Sequence, residues 1–205
     1  MASGPIANPF ATRHTRPAAL AWLPQPDSPQ QLLDRLDRLG GRGVICGPHG
    51  SGKSTLLRHL AAAATERGWQ PRVISLGSVA DLGRAVAAVM AAAEPDHWLG
   101  IDSWEKLGVL GRPLAWLAAR LGGRIVVTMH RQPGPGGWPV LLEPRPTADT
   151  FRRLVIRLLD QAAITPAIAA RFDPILLDDV FRRHQGNLRE AFFDLYDRFE
   201  QFARD

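Results

Sequence analysis

The residues with the clearest chemical potential form one run, Gly47-Pro48-His49-Gly50-Ser51-Gly52-Lys53-Ser54-Thr55. The run fits the pattern G-x-x-x-x-G-K-[ST] without deviation, and it follows an apolar stretch and opens a helical one. Such a loop wraps backbone N–H groups around a polyphosphate, and its glycines avoid Cβ clashes and allow unusual φ angles. Lys53 then places its charge on the β- and γ-phosphate oxygens, and Ser54 offers a hydroxyl to Mg²⁺. Residues 47–55 are therefore predicted to bind a nucleoside triphosphate.

A carboxylate at the end of a neighbouring strand would complete such a site. The apolar run from Trp98 to Ile101 ends in Asp102, which could bind Mg²⁺ directly or through water. Ser103 follows, where many ATPases have a glutamate that activates the attacking water. Glu105 lies three residues beyond Asp102. If the chain turns immediately after Asp102, Glu105 could approach the γ-phosphate; otherwise it is a surface residue, and the sequence leaves both open.

Three further polar residues are candidates for contact with phosphate. Thr128 and His130 lie at the end of another apolar strand, where they could orient water or sense the γ-phosphate. A histidine hydrogen-bonded to a loop is the alternative for His130. Arg189 lies near the start of the last helix, where the helix dipole disfavours a cation, so a phosphate would compensate. The alternative is a surface arginine paired with Glu190 or Asp194.

Alternating strands and helices are predicted to position these residues. Short apolar runs predict strands at 44–46, 72–76, 97–101, 125–129 and 139–143, and helices are predicted at 29–39, 53–67, 79–93 and 112–121. Continuous apolar strands separated by helices indicate an α/β fold with a parallel sheet covered on both faces. After Pro146 the pattern is helical, with starts at Thr147, Thr165 and Asp173, a stop at Gly186 and a last cap at Asn187. We predict an extended N-terminal arm plus helix over residues 1–42, a core over 43–146 and a helical lid over 147–205.

Composition and charge limit the remaining classes. The 205 residues are 45% hydrophobic and 22% charged, which excludes wholesale disorder, and no apolar stretch approaches the roughly 20 residues needed to span a bilayer. One cysteine, Cys46, and no visible secretory signal make a reducing cytoplasm the expected location. The net charge is +5, but counted over large segments no part is strongly basic. The six tryptophans are scattered along the sequence, which does not favour base stacking. DNA stays open as a partner, but no basic patch supports it.

Together these motifs resemble the additional-strand P-loop ATPases, and within them the AAA+ group. The run 47–55 is similar to Walker A, Trp98–Asp102 to Walker B, Thr128 to the first sensor and residues 186–191 to the second-sensor motif. Asn8-Pro9-Phe10 is similar to the opening of bacterial secretion and transposition-type AAA+ ATPases. The resemblance implies a P-loop NTPase core with sheet order 5-1-4-3-2 and ATP held with Mg²⁺ between core and lid. Ser54 and Asp102 would hold the metal, and Lys53, Asp102, Glu105, Thr128, His130 and Arg189 would act in catalysis.

Departures from the family pattern leave the activity open. The Asp-Glu pair of Walker B is absent, so hydrolysis is slow or uses Glu105. An arginine finger from a neighbouring subunit cannot be identified among Arg112, Arg120, Arg131 and Arg145, so a nucleotide-dependent oligomer stays open. No base-reading motif of GTPases is present. We predict an ATPase that acts as an AAA+-like switch on an unidentified protein partner, with a small-molecule kinase or a non-hydrolysing ATP-binding module as alternatives.

Overall fold

The computed structural model of the protein describes residues 7–17, 19–21, 23 and 27–202. The predicted N-terminal arm lies in part outside these ranges. The described residues divide into two compact units. The helical unit contains the described residues up to Leu23, the loop segment His49–Gly52 and the described residues from Arg145 onward. The sheet unit contains the described residues between Leu23 and Pro48, with Pro48 included, and the segment Lys53–Pro144.

Nine α-helices and five strands occur in the described ranges, with two 3₁₀ segments at Val79–Asp81 and Trp104–Leu110. In chain order they are α1 (Thr12–Thr15), α2 (Pro29–Arg38), β1 (Arg42–Cys46), α3 (Lys53–Glu66), β2 (Gln70–Ser75), α4 (Leu82–Ala91), β3 (His97–Asp102), α5 (Gly111–Leu121), β4 (Arg124–Met129), β5 (Val140–Leu142), α6 (Ala148–Gln161), α7 (Pro166–Ala169), α8 (Pro174–Arg183) and α9 (Leu188–Phe202).

The sheet is parallel throughout, in the order β2-β3-β4-β1-β5. This confirms the predicted α/β fold class and the expected strand order. β1, β3 and β4 are buried along almost their whole length, as continuous apolar strands must be when helices cover both faces of a sheet. β1 and β4 pair from Arg42 opposite Ile125 to Cys46 opposite Met129. Because parallel strands end at the same edge, this register brings the residues that follow β1, β3 and β4 to one edge of the sheet.

Local signals determine where the helices of the sheet unit begin and end. α2 begins after Ser28, whose hydroxyl accepts from the Gln31 amide while the Gln31 side chain accepts from the Ser28 amide. The helix predicted over residues 79–93 begins instead as a 3₁₀ turn, Val79–Asp81, and α4 proper runs only from Leu82 to Ala91. The reason is a second reciprocal cap, in which the Asp81 carboxylate accepts from the Ser78 amide and the Ser78 hydroxyl accepts from the Ala80 amide.

The helical unit has its own apolar core, built around aromatic rings. Phe10, from the N-terminal segment, is 1% exposed and packs against Phe172, Phe192 and Phe199. The Asn8 side chain donates to the Tyr196 carbonyl (3.1 Å) and to Glu200 Oε1 (2.8 Å). The N-terminal segment is therefore an integral part of this unit.

Side-chain caps begin two of the three helices for which the sequence predicted one. α7 begins after Thr165, as expected, but the Thr165 side chain makes no cap hydrogen bond. Thr147 accepts from the Thr150 amide before α6, and Asp173 accepts from the Leu176 amide before α8. α8 ends earlier than the predicted stop at Gly186. Its last residue is Arg183, and the chain leaves it through Gln185 (φ 51°) and Gly186 (φ 78°), whose amide donates to the Phe181 carbonyl. None of the helices in the described ranges combines the length and the apolar character that a bilayer-spanning segment needs.

Candidate functional site

The glycine-rich loop after β1 has the backbone that its sequence predicts. Gly47, Gly50 and Gly52 have φ angles of 154°, 70° and 93°, which L side chains rarely adopt. The Gly47 amide donates to the Met129 carbonyl at the end of β4, so this first amide is already used within the sheet unit. Ser51 is 4% exposed, and its buried Oγ has no hydrogen-bond partner among the described residues. A buried hydroxyl without a partner is costly unless a ligand or water satisfies it. Pro48 and His49 are exposed and Thr55 is buried in α3.

Lys53 is the first residue of α3 and is only 7% exposed. Its ammonium donates to the carbonyls of Gly47 (2.8 Å) and Pro48 (2.6 Å). A buried ammonium needs partners, and two neutral carbonyls of the loop are among those of Lys53. Anionic phosphate oxygens would make stronger, charge-assisted hydrogen bonds with the same group. The loop therefore holds the Lys53 ammonium where phosphate oxygens could replace the Gly47 and Pro48 carbonyls as its hydrogen-bond acceptors.

Asp102 and Thr128 lie side by side at the ends of β3 and β4. The Thr128 hydroxyl donates to Asp102 Oδ1 (2.5 Å) and accepts from the Ser103 amide (2.9 Å). Thr128 is 1% exposed, so this hydroxyl holds one oxygen of the carboxylate in a fixed position. The structure thus brings two sequence-predicted site residues into direct contact.

The donor set fits Mg²⁺, which prefers oxygen ligands and usually keeps several waters and substrate phosphates. Ser54 supplies a hydroxyl at the start of α3 and Asp102 a carboxylate at the end of β3. Within the described ranges no group of three or more His, Cys, Asp or Glu side chains could hold a metal ion. Mg²⁺ bound with a nucleotide commonly takes one or two protein ligands and completes its coordination with phosphate oxygens and water.

The chain turns sharply after Asp102, one of the two possibilities that the sequence left open. Ser103 adopts a left-handed conformation (φ 64°), and a 3₁₀ segment, Trp104–Leu110, follows at once. The turn places Glu105 Oε1 2.5 Å from Nδ1 of His130, the residue just beyond β4. Both Glu105 oxygens are buried, and neither has a well-aligned hydrogen bond within the described part of the chain. Glu105 is therefore paired with a second candidate residue and is not a solvated surface glutamate.

Cys46, at the end of β1, is a buried free cysteine. Burial raises the pKa of its thiol, and the nearby charge of Glu143 adds to the effect. The raised pKa favours the thiol over the thiolate, which is the reactive form.

Arg189 lies on the exposed side of the first turn of α9 and forms no ion pair among the described residues. Asp194, one of its two expected partners, instead binds His184 (3.0 Å) and Arg198 (2.5 Å). The Arg189 amide donates to Asn187 Oδ1 (3.1 Å), which also accepts from the Glu190 amide (3.3 Å). Asn187 is thus the predicted cap of the last helix.

A contact that the sequence did not predict connects the glycine-rich loop with α9 inside the helical unit. The Leu188 amide donates to the Gly50 carbonyl (3.2 Å). A Cβ atom on Gly50 would lie 1.8 Å from Asn187 Oδ1 and 2.6 Å from its Cγ. Position 50 therefore requires a glycine for two reasons: its φ angle is positive, and a side chain there would overlap Asn187, the cap of α9. No local sequence signal reports a contact between residues so far apart.

Solved structures of replication proteins have a similar fold. A replication initiator DnaA bound to AMPPCP and single-stranded DNA matches with a TM-score of 0.55 and 17% identity, over 80% of this chain and 57% of that chain. A DNA replication initiation factor matches with a TM-score of 0.54 and 15% identity, over 85% of this chain and 63% of the other. The chain thus spans less than two thirds of either structure. No protein-family model matches the sequence, and no curated protein matches it.

These identities show the fold alone. The chain shares the α/β fold of these two structures. The assignment of the site residues stays a prediction. The expected likeness to the secretion and transposition-type subgroup is not confirmed and stays a prediction.

Proposed function

We propose that the protein binds ATP with Mg²⁺ through residues 47–55 and hydrolyses it, acting as a nucleotide-dependent switch. The observation that carries this proposal is the buried ammonium of Lys53, which two neutral carbonyls hold inside a loop of positive-φ glycines. Glycines and a buried charge both lower the stability of the folded protein. A bound polyphosphate would offset this loss, because it would interact favourably with the loop amides and the ammonium. The DnaA structure, which contains AMPPCP, supports a nucleotide of the ATP class.

In this proposal the phosphates bind the loop amides and the Lys53 ammonium, and the Ser51 hydroxyl gains the partner that it lacks. Ser54 and Asp102 would hold Mg²⁺, which when bound neutralises charge on the phosphate oxygens. Thr128 keeps one oxygen of Asp102 in place through its hydroxyl. Hydrogen bonds that already exist before the nucleotide arrives reduce the reorganisation needed during the reaction.

Glu105 and His130 are our candidates for handling the proton of the attacking water. The Glu105 carboxylate contacts the His130 imidazole, which can exchange a proton with it. Both carboxylate oxygens are buried away from bulk solvent. This assignment compensates for Ser103, which stands where a glutamate would otherwise follow Asp102. Arg189 is our candidate for contacting phosphate, because its guanidinium has no acidic partner within the described ranges.

The Gly50–Leu188 hydrogen bond is the means by which nucleotide could alter the helical unit. Phosphates that bind the loop act on the backbone at Gly50, whose carbonyl already accepts from α9. A ligand shifts a conformational equilibrium only through differential contacts with the two states, and this bond supplies one. An unidentified protein partner would then bind the helical unit differently in the two nucleotide states.

The two lysines of the chain allow a matched test of binding. Lys53→Ala should weaken Mg-ATP binding by at least about tenfold, since a charge-assisted hydrogen bond to phosphate is lost. Lys106→Ala removes the other, exposed lysine and should leave affinity unchanged. Titration calorimetry with ATP measures both. Equal affinity for wild type and Lys53→Ala would contradict the proposal.

Phosphate release distinguishes the switch from the alternatives. A basal or partner-stimulated release that requires Mg²⁺, and that loses this requirement in Asp102→Asn, supports an ATPase. Turnover only with an added metabolite would indicate a kinase, and tight binding with no release over hours would indicate a non-hydrolysing module. Arg189→Ala should weaken the response to nucleotide while the fold stays intact, as circular dichroism would verify.

A further inference from the structure

The positive charge of this protein is concentrated in one part of the sheet unit. From Lys106 to Leu142 the chain holds no acidic residue and five basic ones, Lys106, Arg112, Arg120, Arg124 and Arg131. The whole chain has 25 basic and 20 acidic residues, so its net charge of +5 resides in this segment and the remainder is balanced. Counting over larger segments hides the asymmetry.

α5 presents a stripe from this segment to solvent. Its buried side contains Gly111, Leu114 and Ala118, while Arg112, Trp116 and Arg120 are exposed. These last three, which we name the Arg-Trp stripe, recur every four residues, so they lie on one side of the helix about 6 Å apart along its axis. Trp116 is 60% exposed, an unusual state for so large an apolar ring.

The two arginines of the stripe have no acidic partner in the part of the chain that the structure describes. Neither Arg112 nor Arg120 forms an ion pair among the described residues, and the Arg120 guanidinium lies 4.6 Å from the centre of the Trp116 ring. By contrast, Arg84 near the start of the adjoining α4 pairs with Asp81, and Arg124 pairs with Asp37. A further guanidinium, that of Arg42, donates to the Ala119 carbonyl at the end of α5 and adds positive charge there.

We propose that the Arg-Trp stripe binds single-stranded nucleic acid, with a base stacked on Trp116 and phosphates bound by Arg112 and Arg120. Proteins that bind single strands combine positive charge along the backbone with an exposed aromatic ring on which bases stack. The stripe has both elements on one helix, and no carboxylate within the segment competes for the arginines. A duplex keeps its bases stacked inside and would leave Trp116 without this contact.

The test measures binding of a fluorescent 20-nucleotide oligothymidylate to the whole chain across a series of salt concentrations. Trp116→Ala should weaken binding about tenfold or more, whereas Trp116→Phe, which keeps an aromatic face, should retain most of the affinity. The double variant Arg112→Ala/Arg120→Ala should reduce the slope of log affinity against log salt by about 1.4, since each phosphate contact to a single strand contributes about 0.7. Arg153→Ala, an exposed arginine on α6, is the matched control and should leave the slope unchanged.

Three outcomes would overturn the proposal. The first is no binding of the oligonucleotide to wild type at low salt, or binding that none of the stripe variants weakens. The second is equal affinity for a 20-base-pair duplex with the same dependence on Trp116. The third is stripe variants that lose binding of polyglutamate, or nucleotide-dependent self-association, while they still bind the oligonucleotide, which would assign the stripe to an acidic protein segment or to a second copy. All the substituted side chains are exposed, and thermal unfolding would verify that each variant folds.

Discussion

The backbone carbonyl of Gly50 accepts a hydrogen bond from the amide of Leu188, which connects the second glycine of the glycine-rich loop to the first residue of α9. Asn187 lies against the same glycine, so that any side chain at position 50 would overlap its amide group. Two residues separated by most of the chain therefore constrain each other directly.

Gly50→Ala and Asn187→Ala should be coupled in their effect on stability. Gly50→Ala should lower the free energy of unfolding by about 1–3 kcal/mol, because it adds both positive-φ strain and an overlap with Asn187. Asn187→Ala should cost about 1 kcal/mol through loss of the helix cap. The double variant should be less destabilised than the sum, by about 0.5–3 kcal/mol, since removing the amide relieves the overlap. Urea denaturation measures all four proteins, and strict additivity would show that the contact carries no energy.

Thr128→Val should damage the site without changing its shape. The substitution removes the hydroxyl that donates to Asp102 and accepts from the Ser103 amide, and leaves both groups unsatisfied beside a buried position. We expect a loss of about 1–3 kcal/mol in the free energy of unfolding. Thr128→Ser keeps the hydroxyl and should lose less. Chemical denaturation of both variants measures the difference, and an equal loss in the two would assign the effect to packing.

Glu105→Gln should separate hydrolysis from binding. If Glu105 accepts the proton of the attacking water, phosphate release should fall about 10²- to 10⁴-fold while ATP affinity is retained. His130→Gln should lower release by less, because it removes only the partner of the carboxylate. Glu94→Gln changes an exposed glutamate and serves as the control. Unaltered release in Glu105→Gln would leave Glu105 with a structural role.

Asp194→Asn should destabilise the helical unit in a pH-dependent way. Burial acts to raise the pKa of Asp194, but hydrogen bonds from Arg198 and His184 outweigh it, and the net pKa is lowered. A lowered pKa contributes stability that is present above the unfolded value of about 3.9 and is lost as the pH falls through the folded value below it.

We therefore expect Asp194→Asn to cost about 1–3 kcal/mol at pH 7 and progressively less below pH 4. Guanidinium denaturation of both proteins at pH 7 and at pH 3 checks the sign. A gap between variant and wild type that widens at pH 3 would contradict it.

The sequence was sufficient to predict the fold class and the positive-φ backbone of the glycine-rich loop. Unbroken apolar strands predicted the parallel sheet, and the fixed spacing of Gly47, Gly52 and Lys53 predicted the loop, because both signals are local. The left-handed turn at Ser103 could not be predicted, since a serine there has no intrinsic preference for positive φ. Without that turn the pairing of Glu105 with His130 was equally inaccessible.

Long-range contacts and surface placement account for the rest. The residues around Gly50 do not predict a contact with Asn187, because the tertiary fold brings these two residues together. The Arg-Trp stripe is visible as a four-residue spacing, but its meaning depends on which side of α5 is buried. The side of α5 that faces the core contains the small residues Gly111 and Ala118, so the sequence pattern only weakly indicates which side is buried.

The position of Phe10 and Asn8 among the C-terminal helices has a consequence for biosynthesis. The contact between Asn8 and Glu200 spans 192 residues, so the helical unit cannot complete its core until the ribosome has translated the intervening sheet unit. The sheet unit needs no such delay and can acquire structure during translation. Until the last helix emerges, Phe10 lacks its aromatic neighbours Phe192 and Phe199, so its ring stays outside a finished core during most of translation.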